Sequence, residues 1–141
     1  MTAEPLVKEI TLNASVQKVW TAITDKDAMK NWYFEVEEFK PEVGFEFQFW
    51  GESEGTKYLH LCKVTEAASE KKLAYSWKYD GYTGESLVTF ELFAEGDKTR
   101  LKLTHEGIET FPTEVFGLAR EGFEEGWNYI LNTALKNYLE K

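Results

Sequence analysis

Arg120-Glu-Gly-Phe-Glu-Glu-Gly-Trp-Asn-Tyr-Ile-Leu-Asn-Thr-Ala-Leu-Lys-Asn-Tyr-Leu139 is the stretch on which the fold turns. Phe123, Trp127, Ile130, Leu131, Ala134, Leu135, Tyr138 and Leu139 recur at helical spacing and form one wide apolar face. Glu121, Glu124, Glu125, Asn128, Asn132, Lys136 and Asn137 fill the opposite face. A helix of this length spans about 30 Å, enough to cross a small sheet. It needs a broad apolar surface to lie on.

Upstream, the chain supplies that surface. Phe45, Phe47 and Phe49 alternate with Glu46 and Gln48. Leu73, Tyr75, Trp77 and Tyr79 alternate with Ala74, Ser76 and Lys78, and Val88, Phe90 and Leu92 with Thr89 and Glu91. Leu101 and Leu103 alternate with Arg100, Lys102 and Thr104, which puts His105 on the apolar parity. This period of two marks strands with one covered face. From about Glu35 to Gly107 the chain reads as almost all strand. The run from Thr56 to Thr65 is ambiguous: Tyr58, His60, Cys62 and Val64 share one face, Leu59 and Leu61 the other. The turns at Pro41–Gly44, Glu52–Gly55, Glu70–Lys72, Asp80-Gly81 and Glu95–Asp97 are short. Short connections join antiparallel neighbours, because a parallel crossover needs a dozen or more residues.

Before this block, Leu6 to Leu12 alternates as a first strand, with only Lys8 against the pattern. Val16, Val19, Trp20 and Ile23 then share a helical face, with Asn13 and Ser15 as candidate caps. Asp25 can cap a second short helix carrying Ala28, Met29, Trp32 and Tyr33. A sheet with one apolar face needs one covering layer, and the C-terminal helix is the only element large enough. The expected architecture is therefore α+β: a strongly curved antiparallel sheet of about seven strands around a long helix, with two short helices after the first strand. Gly44, Gly51, Gly55, Gly84 and Gly107 are candidate bending or turning points. Gly117, Gly122 and Gly126 suggest either a loose helix start or close contact with the sheet, and a mobile gate there is one hypothesis.

Composition sets outer bounds. The 141 residues read as one domain, 1–141, with 43% hydrophobic and 16% aromatic residues, enough for a core. The net charge of −9 argues against nucleic acid, whose phosphates reward dense Lys and Arg. No apolar run approaches a membrane span, so no stable membrane insertion is expected. Cys62 is the only cysteine, which excludes an intrachain disulfide or a thiolate cluster. With no leader sequence visible, the cytoplasm is the expected compartment, and the expected state is a monomer or weak homodimer.

The candidate site is the aromatic interior. Phe45, Phe47, Phe49, Tyr58, His60, Tyr75, Trp77, Tyr79, Phe90, His105, Phe123 and Trp127 are the candidate cavity residues. Ordinary core packing accounts for such a set. The functional alternative is a lining for a flat apolar ligand, since buried Trp and Tyr bring N–H and O–H groups that need partners. His60 and Cys62 lie two apart on one strand face, too few ligands for a closed zinc site without a third. Cys62 is more ordinarily a small core residue than a nucleophile paired with His60. His105 can be a hydrogen-bonded strand-end histidine, or a polar anchor or base in a cavity. The acidic residues form no evident catalytic pair, and no phosphate-binding, dinucleotide or metalloprotease motif occurs. No catalytic residue, metal or cofactor is assigned.

The order of strand, two short helices, antiparallel strands and long helix resembles the START-like or Bet v 1-like (SRPBCC) helix-grip superfamily. Val19-Trp-Thr-Ala-Ile-Thr-Asp25, Trp32, Thr99-Arg-Leu-Lys-Leu-Thr-His-Glu-Gly107, Gly126-Trp127, Ile130-Leu131 and Leu135 carry the resemblance, in order over nearly the whole chain. Within it the chain is similar to the stand-alone bacterial branch related to the C-terminal domain of the Hsp90 ATPase activator Aha1. The resemblance implies an apolar cavity between helix and sheet. Superfamily members bind lipids, hormones or polyketides, and some act as enzymes. The eukaryotic activator also uses a separate N-terminal domain, for which the helix-grip reading leaves no residues. Three functions follow as expectations: noncatalytic binding of an apolar small molecule or lipid, a protein-interaction module with an Hsp90-type chaperone as partner, or an enzyme using the cavity through His105 and a tyrosine such as Tyr75. The first leads, and catalysis is the least favoured.

Overall fold

The computed structural model describes residues 5–33, 36, 38–53, 55–111 and 120–140. Strands β1 (Leu6–Leu12), β2 (Glu46–Ser53), β3 (Thr56–Ala68), β4 (Lys72–Tyr79), β5 (Ser86–Glu95) and β6 (Lys98–Glu106) form one antiparallel sheet in the order β1-β6-β5-β4-β3-β2. Strands β2 to β6 run as a meander, and β1 returns to the far edge, pairing Leu6 with His105 and Leu12 with Thr99. Two short helices, α1 (Val16–Thr24) and α2 (Lys26–Trp32), follow β1 as the apolar spacing requires.

Two expectations are corrected. The sheet has six strands among the described residues, where about seven were expected. The extra strand belonged to the stretch from Glu35, but Val36 and 38–40 carry no strand; Val36 and Phe39 are buried as loop residues. Apolar character there reflects packing under the sheet edge: the Phe39 ring meets Phe47 edge-on at 4.9 Å. The sheet is also not strongly curled. It stays open, with β1 and β2 as its two edges, so the helix lies across one face instead of being wrapped. The Pro112 helix start and most of the gate around Gly117 lie outside the described residues.

Local chemistry fixes the helices. The Ser15 side chain accepts from the Lys18 amide at 3.2 Å and caps α1. Asp25 ends α1 and caps α2 through the Asp27 amide at 3.2 Å. The Trp32 indole then donates to the Ala22 carbonyl at 2.8 Å, fixing α2 against α1.

The C-terminal helix begins as α3 (Arg120–Tyr129), widens to a π-helical segment over Ile130–Leu135, and ends as α4 (Lys136–Leu139). Among the described residues, its buried ones are Phe123, Trp127, Leu131, Leu135 and Leu139, each four after the last. Four-residue steps overshoot an α-helical turn by about 40° each, so such a stripe would drift around the helix. The wider π turn takes up that drift and keeps the stripe on the sheet. Lys18 Nζ donates to the Leu139 carbonyl at 3.1 Å, and the Asn13 amide to Glu140 Oε2 at 3.0 Å, pinning the helix end beside α1.

Opposite this end, Gly84 at φ +104 packs so closely that a Cβ would lie 2.5 Å from the Thr110 carbonyl oxygen. Thr110 Oγ1 accepts from the Glu85 amide and donates toward the Glu85 and Gly107 carbonyls. This clasp ties the start of β5 to the short 3-10 turn Ile108–Thr110 after β6.

Candidate functional site

The β3 ambiguity resolves in favour of Tyr58, His60, Cys62 and Val64, all buried, with Leu59 and Leu61 half-buried on the outer face. Antiparallel pairing then stacks side chains in rows. Phe49, His60 and Tyr79 occupy one row across β2, β3 and β4, and Phe47, Cys62 and Trp77 the next. Tyr75, Val88, His105 and Leu6 form a third across β4, β5, β6 and β1. Phe123 and Trp127 descend onto these rows from α3. Of the twelve candidate residues, eleven are buried in one cluster; Phe45 is half-buried at its margin, 6.2 Å from Phe39.

Trp77 is the hub. Its ring lies within 4.9 to 5.9 Å of His60, His105, Phe49 and Trp127, with Tyr75 and Tyr79 slightly farther. These are ordinary aromatic contact distances, mostly tilted or edge-on as ring quadrupoles prefer. Phe90 meets Trp127 edge-on at 6.0 Å, closing the set on its β5 side.

The polar atoms inside this cluster are mostly paired with one another. The Trp127 indole N–H donates to His105 Nδ1 at 3.0 Å. That bond fixes the neutral tautomer, so His105 Nε2–H donates to Ser86 Oγ at 2.6 Å. The Ser86 hydroxyl in turn donates to the Trp77 carbonyl at 3.3 Å. One directional chain thus links helix to sheet through a histidine with no solvent exposure. Burial pushes the His105 pKa down to about 3. Its basic lone pair is occupied by Trp127, which suits a structural role and removes it as a ready base.

His60 is also neutral. Its Nδ1–H donates to the Tyr58 carbonyl at 3.0 Å, and burial lowers its pKa to about 4, against the smaller opposing effect of backbone bonds. Burial pushes the neighbouring Cys62 thiol up. The two shifts oppose a thiolate–imidazolium pair, since each group is held in its uncharged form. Among the described residues no three His, Cys, Asp or Glu side chains converge on a metal position.

Sequence reasoning missed Tyr33. It follows α2, and its hydroxyl shares a hydrogen bond of 2.8 Å with that of Tyr75. Burial raises both hydroxyl pKa values. Its ring stacks on Trp32 at 5.0 Å and on Trp127 at 6.2 Å. The signal was the Trp32-Tyr33 pair: two large aromatics at a helix end cannot both sit on the α2 core face, so one must reach elsewhere. Phe111, 5.2 Å from Tyr79 and 5.9 Å from Phe123, was missed because it lies in no periodic run.

One interior polar atom stands apart. Trp77 Nε1 is buried and makes no hydrogen bond of good geometry among the described residues, although its N–H lies near enough to the Tyr79 hydroxyl to act on it. On the opposite, outer face a trough of about 690 Å³ runs over β2, β3 and β4, with Glu38, Glu46, Gln48, Leu61, Lys63 and Lys78 among its lining. No described helix is long and apolar enough to cross a membrane.

Comparison with known proteins places this arrangement. Among solved structures, the Mll3558 protein from Rhizobium loti is 25% identical, with a TM-score of 0.81 over 96% of each chain. The BH1534 protein from Bacillus halodurans is 26% identical, with a TM-score of 0.75 over 99% of each chain. The CV1439 protein from Chromobacterium violaceum, 21% identical with a TM-score of 0.81 over 98% of each chain, shares the fold. No curated protein matches the chain. The family described as "Activator of Hsp90 ATPase homolog 1-like protein" matches residues 13–140, and the chain belongs to that family.

Proposed function

We propose that the chain is a noncatalytic binding domain whose ligand is another protein, with an Hsp90-type chaperone as the first candidate. The family description supports the choice of partner. The observation that carries the reading is the internal pairing of the aromatic cluster. His105 spends both ring nitrogens on Trp127 and Ser86, and Tyr33 and Tyr75 spend their hydroxyls on each other. Polar anchors that bind inside a protein must be free to turn toward a guest; most of these are satisfied already. Recognition is then left to the outer surfaces. The test mixes the purified chain with an Hsp90-family chaperone and follows association by calorimetry and ATP hydrolysis by phosphate release. Saturable binding with altered turnover is expected; absence of both sinks the chaperone reading.

A second reading has one observation in its favour. The buried Trp77 N–H, which makes no well-aligned hydrogen bond among the described residues, is a group that an apolar guest with a single acceptor oxygen, such as a lipid or small ketone, would satisfy. Native mass spectrometry of the purified chain should then reveal a retained small molecule that Trp77→Phe loses; an empty parent protein refutes it. Catalysis in the same interior has no such support, because His105, Cys62 and Tyr75 are each held uncharged or already bonded.

A further inference from the structure

We propose that the outer face of the sheet, over β4, β5, β6 and β1, is the contact surface of a homodimer, in which two copies pack face to face about a two-fold axis running along the strands between β5 and β6. The inference stands apart from the chaperone reading and does not need it.

Charge sets this face apart. The chain carries −9 overall, yet these four strands turn four glutamates and five cations outward. The cross-strand register fixes where they stand. Lys72, Glu91, Lys102 and Glu9 form one row across β4, β5, β6 and β1, alternating in sign. Glu91 and Lys102 stand opposite each other, yet neither enters an ion pair among the described residues.

The proposed axis lays β5 over the partner's β6 and β4 over the partner's β1. Lys72 then lies over the partner's Glu9, and Glu91 over the partner's Lys102. The neighbouring rows obey the same operation. Glu95 comes over the partner's Lys98, and Thr89 over the partner's Thr104. Val7, 46% exposed, comes over the partner's Ala74. Arg100 lies 4.3 Å over its own Phe93 ring, held there by Glu9 and Glu95, and its other side meets the partner's Phe93. At the end of the face Leu87 meets the partner's Glu106. No like charges oppose each other. A foreign partner would have to carry the same alternation in matching order; a second copy carries it by symmetry. Sheets packed this way lie about 10 Å apart with strands nearly aligned. The face covers roughly 600 Å² per copy at ordinary strand spacings, the low end for a specific interface, so the dimer is weak and concentration-dependent.

The test is a charge swap read by sedimentation velocity over a concentration series. One variant combines Lys72→Glu with Lys102→Glu, the other Glu9→Lys with Glu91→Lys, and thermal unfolding checks that each is folded. The parent should shift from monomer to dimer as concentration rises. Each variant alone should self-associate roughly tenfold more weakly or worse, because the row now meets its own sign. An equimolar mixture of the two should recover association, since every opposed pair is again of opposite charge. A parent that stays monomeric, variants that dimerise as the parent does, or a mixture of folded variants that stays monomeric overturns the proposal. A measurement on the parent alone covers the case of a variant that does not fold. Its amide NMR shifts should move with concentration at Ser86–Glu95 and Lys98–Glu106, and movement centred elsewhere, or none, also overturns the proposal.

Discussion

Acid should destabilise this protein through its two histidines, by an amount the structure sets. His105 is pushed to about 3 and His60 to about 4, against about 6.5 in an unfolded chain. Above pH 6.5 both are neutral in either state and contribute no pH dependence. Below it the unfolded chain takes up protons that the folded one refuses, so stability falls with pH until the folded values are reached. At pH 4.5 each histidine has cost about 2–3 kcal/mol, at about 1.4 kcal/mol per pH unit. Together they remove about 5 kcal/mol, comparable to the whole stability of a small domain. The assay is urea unfolding by tryptophan fluorescence at pH 7, 5.5 and 4.5, for the parent, His105→Gln and His60→Gln. Each variant is expected to be less stable at pH 7, yet to lose about 2–3 kcal/mol less than the parent between pH 7 and 4.5. Carboxylate titrations are common to all three proteins and cancel in the comparison. Parallel stability curves for parent and variants would refute the assignment of buried neutral imidazoles.

The remaining expectations concern single contacts. Trp127→Phe keeps a ring on the sheet but strips the N–H from His105 Nδ1, and should cost about 1–3 kcal/mol in chemical denaturation; a neutral result would mean the relay bond is absent in solution. Gly84→Ala should cost more than about 2 kcal/mol, since its Cβ has no room beside Thr110, whereas Gly96→Ala, at φ +68 with open space around it, should cost about 1 kcal/mol. Equal losses would show that the clasp yields easily. Cys62 should resist thiol reagents at neutral pH until the chain unfolds, because its buried thiol is held protonated; rapid labelling of the native protein contradicts that.

The strands and helices were legible because each repeats a period that burial imposes. Phe90, Leu101 and Leu103 alternate with polar partners, and the structure buries all three. Leu59 and Leu61 defeated the same logic, because both are half-buried on the outer face, Leu59 opposite Trp50 and Leu61 in the trough. The expected extra strand failed for a related reason: Val36 and Phe39 are buried from a loop, and periodicity cannot tell a packed loop from an edge strand. His105 could be placed on the inner face by parity. Its roles as acceptor from Trp127 and donor to Ser86 could not, because those bonds join residues far apart in sequence whose approach is set by packing. The four-residue stripe of the C-terminal helix was visible in the spacing of Trp127, Leu131, Leu135 and Leu139, but its consequence for helix pitch emerged only once the sheet held that stripe in line.

The antiparallel pairing of β1 with β6 and the anchoring of Leu139 and Glu140 beside Asn13 and Lys18 also set a timetable. During synthesis β1 emerges first and must wait for β6, while α1 must wait for the residues that dock on it. The meander from β2 to β6 can pair as it appears, but its aromatic face stays uncovered until the final helix is made. Folding of this domain is therefore completed only after the C-terminal helix has been made, leaving a broad aromatic surface exposed to other nascent chains in the interval. A ribosome that stalls before Phe123 would release or hold a sheet without its cover.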